Sequence, residues 1–157
     1  MGSIQTRDKL KETADALKTS GKRIVFTNGC FDILHIGHIR YLKEARALGD
    51  VLVIGLNSDS SVKGLKPGRP IISESQRAEV LSSLEMVDFV TIFHEDTPYE
   101  LIRHIKPDVL VKGGDWKKED IVGSDLVPEV HSLPFIEGIS TTEIVKKIIG
   151  NDKSCMA

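Results

Sequence analysis

The run Thr27-Asn28-Gly29-Cys30-Phe31-Asp32-Ile33-Leu34-His35-Ile36-Gly37-His38 concentrates groups suited to handling phosphate. His35 and His38 are three residues apart, a spacing that puts both imidazoles on one face near a helix start. Each could hydrogen-bond a phosphate oxygen, more strongly when protonated. Gly29 permits a tight turn, and Gly37 lets a ligand come close to the backbone. The helix that follows offers unpaired N–H groups and the positive end of its dipole, which suits an anion. A lone histidine is usually structural, and a His-x-x-x-His metal spacing is absent. Two histidines flanking a glycine at such a turn read as a working site. Cys30, inside the same run, reads as a small packing residue, because a cysteine nucleophile needs a base and a lowered pKa.

Three further segments carry candidate groups. Gly138, Ile139, Ser140 and Thr141 stand at the start of the last helix, where hydroxyls and backbone N–H groups suit a phosphate. Capping by Ser140 is part of the same reading. VKGLKPGR carries Lys63, Lys66 and Arg69 on a Gly/Pro-containing loop. Alone this is a solvated basic loop; near two helix N-termini it becomes a clamp over a triphosphate, ordered by nucleotide. Lys112, Gly113, Asp115 and Trp116 follow a strand end. Asp115 could accept hydrogen bonds from a base or sugar, or sit near a metal. Trp116 is either a stacking surface or a packed anchor. Arg77 is by default a surface residue. His94, His104 and His131 have no partner visible in the sequence and read as structural or exposed.

The elements that must position these groups are legible. Ile4, Leu10, Ala14 and Leu17 recur at helical spacing, which predicts a first helix running to about Ser20. RIVFTN (23–28), VLVIGLN (51–57), VDFVTIF (87–93), DVLVKGG (108–114) and EVHSLPF (129–135) read as strands. GHIRYLKEARALG (37–49) reads as a helix. Capping boxes at Ser73-x-x-Gln76, Thr97-Pro98-x-Glu100 and Ser140-x-x-Glu143 predict three more helix starts. Continuously apolar strands alternating with helices imply a parallel sheet covered on both faces. The expected fold is α/β, a Rossmann-like three-layer sandwich with a mostly parallel five-stranded sheet. In such sheets the ligand site lies outside the carboxyl ends of the strands. Residues 1–21 are expected to form a helix packed on the core, 22–150 the catalytic domain, and 151–157 a flexible tail.

Composition narrows the function. The 157 residues are 40% hydrophobic and 28% charged, an ordinary globular balance. A net charge of -2 argues against a nucleic-acid-binding surface, and none is expected. No apolar run reaches transmembrane length and no hydrophobic signal core opens the chain. Two cysteines cannot build a disulfide framework. A cytoplasmic location, with no membrane partner, is the expectation.

Asn28-Gly29-x-Phe31-Asp32-x-x-His35-x-Gly37-His38 resembles the signature of the cytidylyltransferase-like nucleotidyltransferases, which share the His-x-Gly-His element with class I aminoacyl-tRNA synthetases. The similarity runs from about Lys22 to Ile148. Glu137-Gly138-Ile139-Ser140-Thr141-Thr142 resembles the second family motif, which meets the nucleotide phosphates. Leu56-Asn57-Ser58-Asp59, Lys66 and Gln76-Arg77 fall where the family has its middle motifs. Val62-Lys63-x-Leu65-Lys66, Arg69-Pro70, Glu95-Asp96-Thr97-Pro98 and Val111-Lys112-Gly113-Gly114-Asp115 are most similar to the branch that adenylylates heptose 1-phosphate for lipopolysaccharide, in its free-standing form.

The resemblance implies AMP transfer from ATP to a sugar 1-phosphate, with Mg²⁺ accompanying the nucleotide and no assigned protein ligands to it. It implies that His35, His38 and Lys66 are catalytic. Thr27, Asn28, Gly29, Phe31, Asp32, Gly37, Lys63, Arg69, Gly113, Asp115, Gly138, Ile139, Ser140 and Thr141 would contact nucleotide. Asn57, Asp59, Arg77, Lys112 and Trp116 would contact the acceptor, with Arg77 reaching either phosphate or a neighbouring loop. A homo-oligomer, as a dimer, is expected, with residues 4–20 or 87–104 as interface. One departure stands out. Glycerol-phosphate cytidylyltransferases carry an arginine shortly before the Gly-Ile-Ser-Thr element, where this chain has Leu133-Pro134-Phe135-Ile136-Glu137. Lys66, Arg69 or Arg77 must then carry more of the phosphate charge. Transfer from CTP to glycerol 3-phosphate or onto FMN, a non-catalytic nucleotide sensor, and a tRNA-linked role remain alternatives.

Overall fold

The computed structural model describes residues 2–134 and 138–155, with side chains described up to residue 150. The elements run β1 (Ser3–Ile4), α1 (Arg7–Thr19), β2 (Ile24–Gly29), α2 (Ile36–Arg46), β3 (Val51–Asn57), α3 (Asp59–Leu65), α4 (Glu74–Ser82), β4 (Phe89–Phe93), α5 (Tyr99–Ile105), β5 (Val109–Gly113), β6 (Glu129–Leu133) and α6 (Thr141–Cys155). Two 3-10 turns, Lys118–Asp120 and Ser124–Leu126, join β5 to β6.

The sheet is parallel throughout, in the order β1-β4-β3-β2-β5-β6. Successive side chains of a strand point to opposite faces. Both faces are apolar here because both are covered. Ile24, Phe26, Val53 and Leu110 pack with Leu10, Ala14, Leu101 and Ile105 beneath α1 and α5. Val25, Leu52, Ile54 and Val111 pack with Leu42, Ala45, Ala78 and Leu81 beneath α2 and α4. This is the expected Rossmann-like sandwich, with six strands in place of five.

The extra strand corrects the reading of the N-terminus. Ile4 belongs to β1, in register with Val90 of β4, and α1 starts only after Thr6, whose hydroxyl caps it. A two-residue strand is too short to show a period. The loop expected from Val62 onward is also corrected: Lys63 lies in α3. Ser58 caps α3 through Ser61 N–H, and the Asp59 amide donates to Glu74 at 2.6 Å. Two of the expected capping boxes lack their side-chain bond. Ser73 pairs with Ser75 at 3.2 Å instead, and Pro98 rather than Thr97 holds the cap position of α5. Ser140 does accept from the Glu143 amide, at 3.1 Å. α6 continues through Gly150 to Cys155, so residues 151–155, expected in the tail, extend the helix. A glycine inside a helix costs only about 1 kcal/mol against alanine. No described helix is long and apolar enough to cross a membrane.

Candidate active site

β2 lies mid-sheet, with β3 on one side and β5 on the other. The chain leaves β3 and β4 toward one edge and β5 and β6 toward the other, so the connections part above β2. A cavity of about 780 Å³ opens at this switch point, over the carboxyl ends of the strands. The signature run forms its centre.

After β2 the backbone turns sharply. Phe31 has φ +44°, an uncommon conformation for a bulky residue and one that clusters at functional sites. Its ring is buried against His38, 5.3 Å between centroids. A Cβ on Gly29 would lie 2.9 Å from that ring, so the turn needs glycine. His35 caps α2, and His38 lies in its first turn. Their rings stack, 3.9 Å between centroids, and His38 Nδ1 faces the His35 amide at 3.4 Å. A Cβ on Gly37 would meet the His35 ring at 2.9 Å, so Gly37 is what allows the two rings to line one wall. Burial, then His35 and Lys66, push His38 down to about 4. Burial also lowers His35. Both imidazoles are therefore neutral at pH 7. His35 Nδ1 is buried with no partner among the described residues. A buried polar atom left so implies a ligand group or water as its partner.

The start of α6 faces this wall. Thr141 Oγ1 donates to the Ile33 carbonyl at 3.2 Å, so the last helix is tied to the signature turn. Gly138 has φ +75°, which glycine adopts without strain. Two helix N-termini thus look into one cavity, with Lys66 and Arg69 on its rim. Burial pushes the Lys112 ammonium down, and it lies 3.5 Å from Asn28 Oδ1. The arrangement can hold a polyanion at its centre, with room for a second substrate beside it.

A sequence model described as cytidylyltransferase-like matches residues 26–147. The chain belongs to the cytidylyltransferase-like nucleotidyltransferase family. It is 58% identical over 149 residues to the bifunctional protein HldE of Wolinella succinogenes, covering 94% of this chain and 31% of that protein. It is 60% identical over 141 residues to that of Campylobacter concisus, covering 88% and 30%. The chain thus spans about a third of the length of these curated relatives. Among solved structures, it is similar to a lipopolysaccharide core biosynthesis protein from Thermoplasma volcanium, with a TM-score of 0.65 and 32% identity, covering 74% of this chain and all of that one. A pantoate-beta-alanine ligase from Francisella tularensis shares the fold at 15% identity and a TM-score of 0.61, covering 92% and 76%.

Most of the expected site residues gather at this cavity. Asn28, Gly29, Phe31, Asp32, His35, Gly37 and His38 do line the cavity. So do Asn57, Lys66, Arg69, Lys112, Gly113 and Trp116, together with Gly138, Ile139, Ser140 and Thr141. Trp116 lines the cavity, is 50% exposed and donates its ring N–H to the Gly113 carbonyl at 3.1 Å. The Phe135-Ile136-Glu137 stretch, where the missing arginine is noted, lies outside the described residues.

Five expected contacts are not among the lining residues. Thr27 is fully buried, its hydroxyl 2.6 Å from that of Tyr41. Lys63 and Asp115 are exposed outside the cavity. Arg77 is 2% exposed: Nε donates to the Ile72 carbonyl at 2.9 Å, one terminal nitrogen to the Cys30 carbonyl, the other to Asp59 at 2.7 Å. Arg77 and Asp59 are thus occupied with each other and with the signature turn, and neither lines the cavity. Asp32, though in the cavity wall, is also occupied. It accepts from Arg69 at 2.7 Å and from the Ile71 and Ile72 amides at 2.8 and 3.0 Å. Burial alone would raise its carboxyl, but these donors outweigh burial and hold it below the usual range.

Sequence reasoning did not assign Arg40, Tyr41, Glu44, Asp96, Thr97 and Asp120, all of which line the cavity. Arg40, Tyr41 and Glu44 follow His38 on α2, and helical spacing from it would have found Tyr41. Tyr41 also spans α2 and two strands, with its hydroxyl 3.1 Å from the Val111 carbonyl.

Proposed function

We propose that this chain transfers AMP from ATP to a sugar 1-phosphate, heptose 1-phosphate being the preferred acceptor, and so supplies ADP-heptose for lipopolysaccharide synthesis in the cytoplasm. The observation that carries the reading is the stacked His35–His38 pair facing the start of α6 across one cavity. The similarity to HldE proteins and to a lipopolysaccharide core biosynthesis protein supports the acceptor class.

An acceptor phosphate oxygen attacks the α-phosphorus of ATP. The new P–O bond forms as the bond to the β-phosphate oxygen breaks, and pyrophosphate leaves. Positioning and charge stabilisation carry such a transfer. His35 and His38 donate to the α- and β-phosphate oxygens as charge develops there. Lys66 holds the outer phosphates, and Arg69, anchored to Asp32 through one guanidinium nitrogen, turns its remaining donors to the same side. Ser140 and Thr141 present N–H groups from α6. Lys112 and Asn57 stand on the acceptor's path, and Trp116 offers a surface for stacking beside them. Among the described residues, no three His, Cys, Asp or Glu side chains gather as metal ligands. A Mg²⁺ entering with ATP would be held by phosphate oxygens and water and would supply charge neutralisation there. A homodimer is part of this reading, and sedimentation velocity measures it.

The direct test is pyrophosphate release with Mg²⁺ and ATP or CTP, each offered D-glycero-β-D-manno-heptose 1-phosphate or glycerol 3-phosphate. Release only with ATP and the heptose phosphate supports the proposal. Release with CTP and glycerol 3-phosphate keeps the chemistry and discards the acceptor. Silence in all four, from protein that still binds nucleotide, favours a nucleotide sensor.

A further inference from the structure

The cavity lining comes from both sides of β2. The side of β5 and β6 supplies Trp116 and the start of α6; the side of β3 and β4 supplies Asn57, Lys66 and the Asp96–Pro98 loop. His35 and His38 stand between them. Asp32, Glu44, Asp96, Asp120 and Glu143 are the carboxylates of the cavity wall, and of these Asp96 stands on the loop that follows β4, beside Thr97. It is exposed, lines the wall, and has no hydrogen-bonding or ion-pair partner among the described residues. A carboxylate there repels a triphosphate and accepts well from hydroxyl groups.

The loop that carries Asp96 is braced from two directions, one of them backed by a third residue. Arg7, at the start of α1, pairs with Glu95 at 2.5 Å. The Ser61 hydroxyl of α3 donates to the Glu95 carbonyl at 3.3 Å. Asn57, at the end of β3, donates to Ser61 Oγ at 2.9 Å. This relay fixes Asp96 by its immediate neighbour while leaving its own carboxylate open. Such bracing of the supporting residues is what a preorganised binding group requires.

We propose that Asp96 determines acceptor specificity by accepting hydrogen bonds from ring hydroxyls of the sugar 1-phosphate, with the Thr97 hydroxyl beside it. The proposal rests on the sugar-phosphate reading above and deepens it. The phosphate of the acceptor faces the cations, and its polyol faces Asp96. A small acceptor such as glycerol phosphate has fewer hydroxyls to reach this side.

The experiment compares wild type with Asp96→Ala, using heptose 1-phosphate, ATP and Mg²⁺, each varied in turn. Asp96 is exposed, so the variant folds. The expected result is a KM for heptose 1-phosphate raised about tenfold, with the KM for ATP and the Mg²⁺ half-saturation unchanged. An unchanged sugar-phosphate KM overturns the proposal. A shift in the Mg²⁺ dependence also overturns it and makes Asp96 a metal contact. Should wild type neither bind nor adenylylate any sugar 1-phosphate, the acceptor class itself is wrong and the role of Asp96 falls with it; a wild type that works beside an unaltered variant sinks Asp96 alone.

Discussion

At the scale of the residue, the stacked histidines decide both chemistry and pH response. Each neutral imidazole carries one N–H, and a bound triphosphate adds the negative charge that favours a second proton. ATP binding near pH 6 should therefore take up protons, read by calorimetry in buffers of different ionisation enthalpy. His38→Ala removes a donor aimed at developing charge and should lower kcat about a hundredfold. The same burial sets a stability trend. The unfolded chain protonates this imidazole near 6.5, the folded protein near 4. Between those values the unfolded state holds more protons, so stability rises with pH through that window. Wild type should lose Tm steadily as pH drops from 6.5 toward 4, and His38→Asn should flatten that decline.

At the scale of the element, the site depends on how its loops are tied. Arg77 joins α4 to the signature turn and to Asp59 of α3. Arg77→Met should cost about 3 kcal/mol in urea unfolding, because it leaves two carbonyls and a carboxylate without their donor. Tyr41 joins α2 to β2 and β5. Tyr41→Phe should lower kcat several-fold with little change in the KM for ATP, since it loosens the helix that carries the histidines without touching the ligand. These ties are where sequence reasoning failed. The apolar strands, the helix starts and the His-x-Gly-His turn are legible because local pattern dictates them. The direction of Arg77 is not: sequence shows an arginine on a helix, and only packing turns it inward. α3 escaped because DSSVKGL has poor helix formers and is held by its Ser58 cap and by Glu74. Asp96 is legible only as part of the Glu95-Asp96-Thr97-Pro98 resemblance, because an acidic loop residue carries no spacing signal that assigns it a role.

At the scale of the molecule, the cavity wall mixes both signs of charge. The chain carries a net -2, and its cavity sets Arg40, Lys66, Arg69 and Lys112 beside Asp32, Glu44, Asp96, Asp120 and Glu143. ATP is therefore drawn by individual cations, Lys66 and Lys112 foremost, rather than by a field of one sign. Raising ionic strength from about 0.05 M to about 0.5 M shortens the screening length and should raise the KM for ATP several-fold, with kcat little changed. The contact of Thr141 with Ile33 has a consequence in time. It joins positions 108 residues apart, one in the first quarter of the chain and one near its last helix. A ribosome adding about 5–20 residues per second leaves the histidine wall waiting roughly 5–20 s for its opposite face. Nucleotide has no complete seat during that interval, so the growing chain must fold its sheet without help from the ligand it will later hold.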